Sequence, residues 1–303
     1  MRVEDTRREW LFLPILRTIT DLLLILKMAE RNDTANKVAE VLRAFVGKTE
    51  KKYFTSAVIL AAGASTRMGE GRSKQFEELG GIPIVARTVM EFDKSEFINE
   101  IILVAKSDEL DRYEGFAEKY GLKTPFKVIA GGETRQVSAR NGVDAVHDKS
   151  KFIAIHDAAR CLITCEMIAR VCHCAYLHDA AILAIKAVDT VKIGDKNAFV
   201  EETPDRKLAW QAQTPQVFKV NAFRAAAYIA RDEKFEGTDD ASLLEHIRIP
   251  VKLVEGSREN IKVTDPMDIY FAEAILRARA DAEERRRAAE EAAENEKKAG
   301  KKK

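Results

Sequence analysis

Ala57-Val58-Ile59-Leu60-Ala61-Ala62-Gly63-Ala64-Ser65-Thr66-Arg67-Met68-Gly69 is a strand-length apolar run that breaks at once into small residues and glycine, with Lys74-Gln75 close behind. Small residues at a strand end let the backbone approach a ligand and aim its N–H groups at anionic oxygens. Arg67 and Lys74 add two cations suited to a triphosphate. The spacing is neither that of the P-loop, G-x-x-x-x-G-K-[ST], nor that of the dinucleotide fingerprint, G-x-G-x-x-G. Taken by itself, the segment reads equally well as a glycine-bearing turn with surface cations.

Outward from this stretch the same pattern recurs. Ile101–Val104, Val128–Ala130, Phe152–Ile155 and Ala181–Ile185 are further apolar runs of strand length. Helical periodicity fills the gaps, at Pro83–Phe92, Asp108–Tyr120, Thr134–Val146 and Glu166–His178. Apolar strands alternating with helices predict an α/β fold: a mostly parallel sheet with helices on both faces. Ligands of such sheets bind beyond the carboxyl ends of the strands, so the residues following each run carry the chemistry.

The fourth run ends in His156-Asp157-Ala158-Ala159-Arg160. Asp157 is placed to hold Mg2+ or a substrate hydroxyl, and an aspartate here could equally cap a helix. Its place on the same sheet edge as the glycine loop favours function, and His156 reads as a packed histidine. Upstream lies Gly131-Gly132-Glu133-Thr134-Arg135 with Ser138; downstream lie Asp189-Thr190-Val191-Lys192, Thr203-Pro204-Asp205-Arg206, Gln213-Thr214-Pro215-Gln216, Thr238-Asp239-Asp240-Ala241 and Asn260-Ile261-Lys262-Val263-Thr264. Each is a turn or capping cluster in its own right; their order is what informs.

The flanks differ in composition. Residues 1–54 read as an N-terminal helical hairpin, with Leu22, Ile25, Leu26 and Ala29 on one face and Val38, Val41, Leu42 and Phe45 on another. Residues 279–303 are built mostly from alanine, glutamate, arginine and lysine, and should extend the last helix as a charged tail with i,i+4 pairs such as Glu283/Arg287. In 303 residues, 50 Lys and Arg against 49 Asp and Glu leave a net charge of +1, no electrostatic footprint for nucleic acid. The apolar stretch Leu11–Met28 is broken by Pro14, Arg17, Asp21 and Lys27, so it predicts no membrane span. With no secretory signal read, a cytoplasmic protein is expected. Cys161, Cys165, Cys172 and Cys174, spaced C-x3-C and C-x-C near His173 and His178, match no common zinc module and read as reduced thiols.

The ordered set L-A-A-G-x-S-x-R-M-G…K-Q, G-G-x-x-R-x-x-S, H-D-A-A-R, D-T-V-K, W-Q-A-Q-T-P-Q, T-D-D-A-S and N-I-K-V-T-x-P resembles the 2-C-methyl-D-erythritol 4-phosphate cytidylyltransferases, over about residues 55–278. The resemblance implies a Rossmann-like nucleotidyltransferase with a protruding β-arm at roughly 188–215 that interlocks a homodimer. It implies that Arg67 and Lys74 grip the phosphates of CTP, and that Ala61, Ala62, Gly63, Ala64, Ser65, Gly131 and Ser138 hold the nucleotide. Asp157 and Arg160 would sit where the polyol phosphate meets the Mg2+-bound triphosphate, with Asp157 the metal ligand. Thr190 and Arg206 would reach from the arm into the partner's site, Thr238 would join the substrate contacts, and Lys262 would neutralise charge at the α-phosphorus. Two departures stand out: Cys161 where the family usually has proline, and Asp240 where some members carry glutamate. Rival readings are a ribitol 5-phosphate cytidylyltransferase and an assembly or scaffold protein that keeps the enzyme fold. A fusion with a second catalytic domain does not fit in the residues after 278.

Overall fold

The apolar run at 57–60 forms most of β1 (Thr55–Leu60), all six of whose residues are buried. A computed structural model of the chain describes residues 53–63 and 73–300. The expected N-terminal hairpin, and Ala64, Ser65 and Arg67, lie outside the described residues. After β1 come the short pair β2 (Glu78–Leu79) and β3 (Ile82–Pro83), then α1 (Ile84–Asp93) and β4 (Glu100–Ala105). α2 (Phe116–Tyr120), β5 (Phe126–Ala130), α3 (Arg135–Asp144), β6 (Phe152–Asp157) and α4 (Cys165–His178) follow. Then come β7 (Ala180–Lys186), β8 (Ile193–Gly194), β9 (Val200–Glu202) and β10 (Trp210–Lys219). The chain closes with α5 (Val220–Asp232), α6 (Asp240–His246), β11 (Lys252–Glu255) and α7 (Pro266–Gly300).

Seven strands form one sheet in the order β11-β7-β10-β6-β1-β4-β5. Every neighbouring pair is parallel except those made by β10, which runs antiparallel to β6 and to β7. The two-residue alternation of strands sorts the core into two layers. Ala57, Ile59, Ile101, Leu103 and Ala154 face Val85, Val89 and Phe92 of α1 and Ile168, Val171 and Cys172 of α4. Val58, Leu60, Ile102, Val104, Ile153 and Ile155 face Ala139 and Val143 of α3, Phe223 and Ala227 of α5, and Leu243 and Leu244 of α6. With both faces covered, strand interiors read as continuous apolar runs.

From β1 the chain winds outward to β4 and β5, then crosses back to β6 on the other side of β1. That reversal opens a crevice at the carboxyl ends of β1 and β6, where Leu60 stands opposite Asp157.

Two sequence expectations need correction. The helix expected over Asp108–Tyr120 is split into a 3-10 segment, Ser107–Tyr113, and α2, by Gly115 at φ 63°, a left-handed conformation that glycine adopts without steric cost. The arm expected over 188–215 ends sooner: Ala187 N–H donates to the Ala209 carbonyl (3.0 Å), and residues 210–215 belong to β10 inside the main sheet. Pro215 obscures this strand, because proline cannot donate to a ladder. The sheet absorbs it with a register shift between Ala212 and Gln216.

α7 packs by its N-terminal part, where Ala272 is buried with Leu79, Ile84, Leu162 and Val263. Farther along it carries exposed pairs such as Glu283–Arg287 (2.6 Å).

Candidate active site

The crevice is walled first by backbone. Ala61 N–H donates to the Val104 carbonyl (2.7 Å) and Gly131 N–H to the Ala105 carbonyl (2.8 Å), drawing the ends of β1 and β5 together across β4. A Cβ on Gly131 would stand 2.6 Å from the Ala62 Cβ and 2.8 Å from the Ser138 Oγ, so only glycine allows this approach. Thr134 caps α3 by accepting from Val137 N–H (3.1 Å). Ser138, expected to hold the nucleotide, is buried under the turn: its hydroxyl accepts from Gly132 N–H (3.0 Å) and donates to the Thr134 carbonyl (2.9 Å). The structure makes it the latch of the glycine turn.

Asp157, at the end of β6, is the centre of the charged groups. Its Oδ2 lies 2.7 Å from Lys262 Nζ and its Oδ1 3.1 Å from Arg135 Nε. Arg135 Nη2 then reaches Asp240 Oδ2 at 2.7 Å. Burial works to raise the Asp157 pKa, but Arg135 and then Lys262 outweigh it and hold the carboxyl well below the usual carboxylate range. Burial likewise opposes the charge on Arg135, and Asp240 and Asp157 more than restore it. Asp240 is itself buried, which pushes its carboxyl up against the pull of Arg135. Arg135 was legible only as a member of the glycine motif, and Asp240 only as a helix-terminal acid; the structure brings both into the site.

Behind Asp157 a polar clamp joins three segments. Asp157 N–H donates to Thr214 Oγ1 (3.1 Å), the Thr214 hydroxyl donates to His156 Nδ1 (2.9 Å), and His156 Nε2–H meets the Arg160 carbonyl (3.3 Å). That chain fixes a neutral imidazole, and full burial takes the His156 pKa down to about 3. His156 is thus the packed histidine read from the sequence. The Arg160 guanidinium donates to the carbonyls of Asn260 (2.9 Å) and Ala212 (3.4 Å). Asn260 Nδ2 donates to the Thr214 carbonyl (3.0 Å), and Val263 N–H to that of Ala159 (2.8 Å). Lys262 is therefore presented to Asp157 by a segment tied down on both sides. Lys74 arrives from across the crevice, its Nζ 3.4 Å from the Val263 carbonyl.

The donor set bears on magnesium. Mg2+ is commonly held by one or two carboxylates together with substrate phosphates and water. Asp157 is a single ionised carboxylate whose oxygens retain lone pairs beside their ion pairs, so the residues fit a metal shared with a triphosphate. Thr190 and Arg206 lie on the exposed arm, where Arg206 Nη1 donates to the Val188 carbonyl (3.1 Å). Thr238 is exposed, just ahead of Asp239, the residue that caps α6. The four cysteines are free, and burial pushes the thiols of Cys161 and Cys172 up to about 11 and about 12.

A sequence model of the 2-C-methyl-D-erythritol 4-phosphate cytidylyltransferase family matches residues 55–278. The protein of that name from Caldanaerobacter subterraneus subsp. tengcongensis is 43% identical over 223 residues, 73% of this chain and 98% of its own. A chloroplastic counterpart from Oryza sativa subsp. japonica is 35% identical over 230 residues, 76% of this chain and 77% of its own. Among solved structures, the 4-diphosphocytidyl-2C-methyl-D-erythritol synthase of Anaerococcus prevotii superposes with a TM-score of 0.68 at 32% identity, over 75% of this chain and 97% of its own. The glycine turn, the Asp157 array and the Asn260–Val263 clamp all lie within the matched residues, and the chain belongs to the 2-C-methyl-D-erythritol 4-phosphate cytidylyltransferase family.

Proposed function

We infer that this chain transfers CMP from CTP to 2-C-methyl-D-erythritol 4-phosphate, giving 4-diphosphocytidyl-2-C-methyl-D-erythritol and pyrophosphate, a step of isoprenoid precursor synthesis. The observation that carries the reading is the array Lys262–Asp157–Arg135 at the crevice between β1 and β6, beside the Gly131–Gly132 turn. Family membership supplies the nucleotide and the acceptor.

A phosphate oxygen of the acceptor attacks the α-phosphorus of CTP; the new P–O bond forms as the bond to the bridging oxygen of the β-phosphate breaks, and pyrophosphate leaves. The attacking phosphate is already deprotonated near neutral pH, so no general base is required, in keeping with a neutral, enclosed His156. Both reactants are anions, so the chain's work is positioning and charge neutralisation. Lys262 would neutralise charge at the α-phosphorus, and Lys74 and Arg67 would grip the phosphates of CTP. Ala61 to Ser65 and the Gly131 turn would cradle the nucleotide by backbone N–H groups. Asp157 would hold Mg2+ with the triphosphate, and the metal would supply charge neutralisation there. Arg160 and Thr238 would border the acceptor.

The arm supports a homodimer. Phe199, Val200 and Leu208 are 73%, 61% and 79% exposed, more apolar surface than a monomer gains by leaving in water. A partner subunit would cover it and receive Thr190 and Arg206 in its acceptor site. We place the enzyme in the cytoplasm with its small charged substrates; separately, no helix among the described residues is long and apolar enough to cross a membrane.

Pyrophosphate release from CTP and Mg2+, with and without the methylerythritol phosphate, tests the reading. Release that depends on that acceptor and fails with ribitol 5-phosphate is expected. Release with ribitol 5-phosphate alone would move the enzyme to the rival acceptor, and no release with either would leave the fold to an assembly role.

A further inference from the structure

We propose that Asp240 is a positioning residue for cytidylyl transfer: through Arg135 it fixes the carboxylate of Asp157, and through Asp157 the ammonium of Lys262. The inference rests on the reaction proposed above and assigns a role to a residue that touches neither substrate.

The four groups form a line of alternating charge. Lys262 Nζ is 2.7 Å from Asp157 Oδ2, Asp157 Oδ1 is 3.1 Å from Arg135 Nε, and Arg135 Nη2 is 2.7 Å from Asp240 Oδ2. The two ends differ in exposure, the Asp240 side chain at 1% and that of Lys262 at 39%, so the line joins a buried carboxylate to an accessible ammonium. Burying a carboxylate is costly and seldom repaid in stability alone.

The fold does not need this one. The cap of α6 is already made by Asp239, which accepts from Ser242 N–H (3.0 Å). The same turn is strapped to β10 by Gln216, whose side chain donates to Asp239 (2.7 Å) and accepts from Ala241 N–H (2.9 Å). α3 is likewise capped by Thr134 and not by Arg135. What the Asp240–Arg135 pair does hold is an angle. A guanidinium is planar and rigid, so anchoring Nη2 on a buried carboxylate fixes the direction of Nε, and with it the Asp157 carboxylate. Without Asp240, Arg135 would swing onto Asp157 as a closer partner and compete with Lys262 for it.

The variants are Asp240→Asn, Arg135→Gln and the double substitution, measured for kcat, the KM for CTP and thermal midpoint. Asp240→Asn is expected to lower kcat about 10- to 100-fold while the KM for CTP stays within about threefold. The double variant should be no slower than Arg135→Gln, because Asp240 acts only through Arg135. Wild-type kcat in Asp240→Asn, or losses that multiply in the double variant, would overturn the proposal. If Asp240→Asn does not fold, the double variant, which leaves neither charge unpaired, is compared with Arg135→Gln: equal kcat supports the role and a further drop overturns it. Absence of pyrophosphate release from the wild type, by contrast, strikes at the reaction itself.

Discussion

Lys74 Nζ lies 3.4 Å from the carbonyl oxygen of Val263, a residue 189 positions later in the chain. The preceding residue, Lys262, is the one paired with Asp157. One clamped segment thus sets the places of both crevice lysines. Lys74→Ala and Lys262→Ala are each expected to lower kcat by about 100- to 1,000-fold, with thermal midpoints close to wild type because neither side chain is part of the core. Pyrophosphate release and a melting curve on each variant check this; turnover near wild type would remove the lysines from the mechanism.

Gly131→Ala places a methyl group where the Ala62 Cβ and the Ser138 Oγ already stand, 2.6 and 2.8 Å away. The ends of β1 and β5 must then part, and overpacking of this kind costs about 1–3 kcal/mol. Denaturant unfolding should show that loss, and CTP titration should show affinity weakened by more than the kcat for bound substrate. Unchanged CTP affinity would mean that the turn does not shape the nucleotide site.

Glu100 begins β4 at the end of the sheet remote from the crevice, and accepts from the Ser56 hydroxyl (2.7 Å) and His147 N–H (2.9 Å), with Lys127 Nζ at 3.0 Å. Burial raises its pKa, but the bonds from His147 and Ser56 and the Lys127 charge take it below its ordinary value near 4.5. A depressed carboxyl stabilises the fold above that ordinary value, and the contribution drains away as pH falls through the folded value. Glu100→Gln should therefore cost about 1–3 kcal/mol at neutral pH, with the gap from wild type closing below about pH 4.5. Denaturation midpoints across that range, with kcat unchanged at neutral pH, are the test; a gap independent of pH would deny the carboxylate its role.

The arm makes a prediction that mixing can read. Arg206→Ala and Lys262→Ala are each expected to be inactive as homodimers. Co-refolded together, half the dimers carry one of each chain, and in those one site regains both residues if Arg206 serves the partner. About a quarter of wild-type activity should return. No recovery would keep Arg206 within its own subunit.

The sequence displayed the scaffold more openly than the site. β1, β4, β6 and β7 announce themselves because both faces of each are covered, which makes them continuous apolar runs, while the edge strand β5 shows only the short run at 128–130. β10 does not, since Gln213 and Gln216 spend their side chains on neighbouring segments and Pro215 interrupts the run, and β11 is short and largely exposed. Asp157 was legible from its place after a buried strand. The Arg135–Asp240 pair joins residues 105 positions apart, and no local spacing records such a contact. Arg160 was read as facing the acceptor; its guanidinium also ties residues 212 and 260 together, a scaffolding duty invisible until the fold is known.

The sheet is complete at Glu255, yet Lys262 and the clamp that presents it come afterwards, and Arg279 of α7 closes over that region by bonding the Leu162 carbonyl (2.9 Å). A polypeptide still emerging from the ribosome can thus assemble every strand before it owns a working phosphate site. Chains cut short after β11 would own every strand yet lack Lys262 and the packing of Val263 and Ala272, so that consumption of CTP reports on residues the sheet itself never uses.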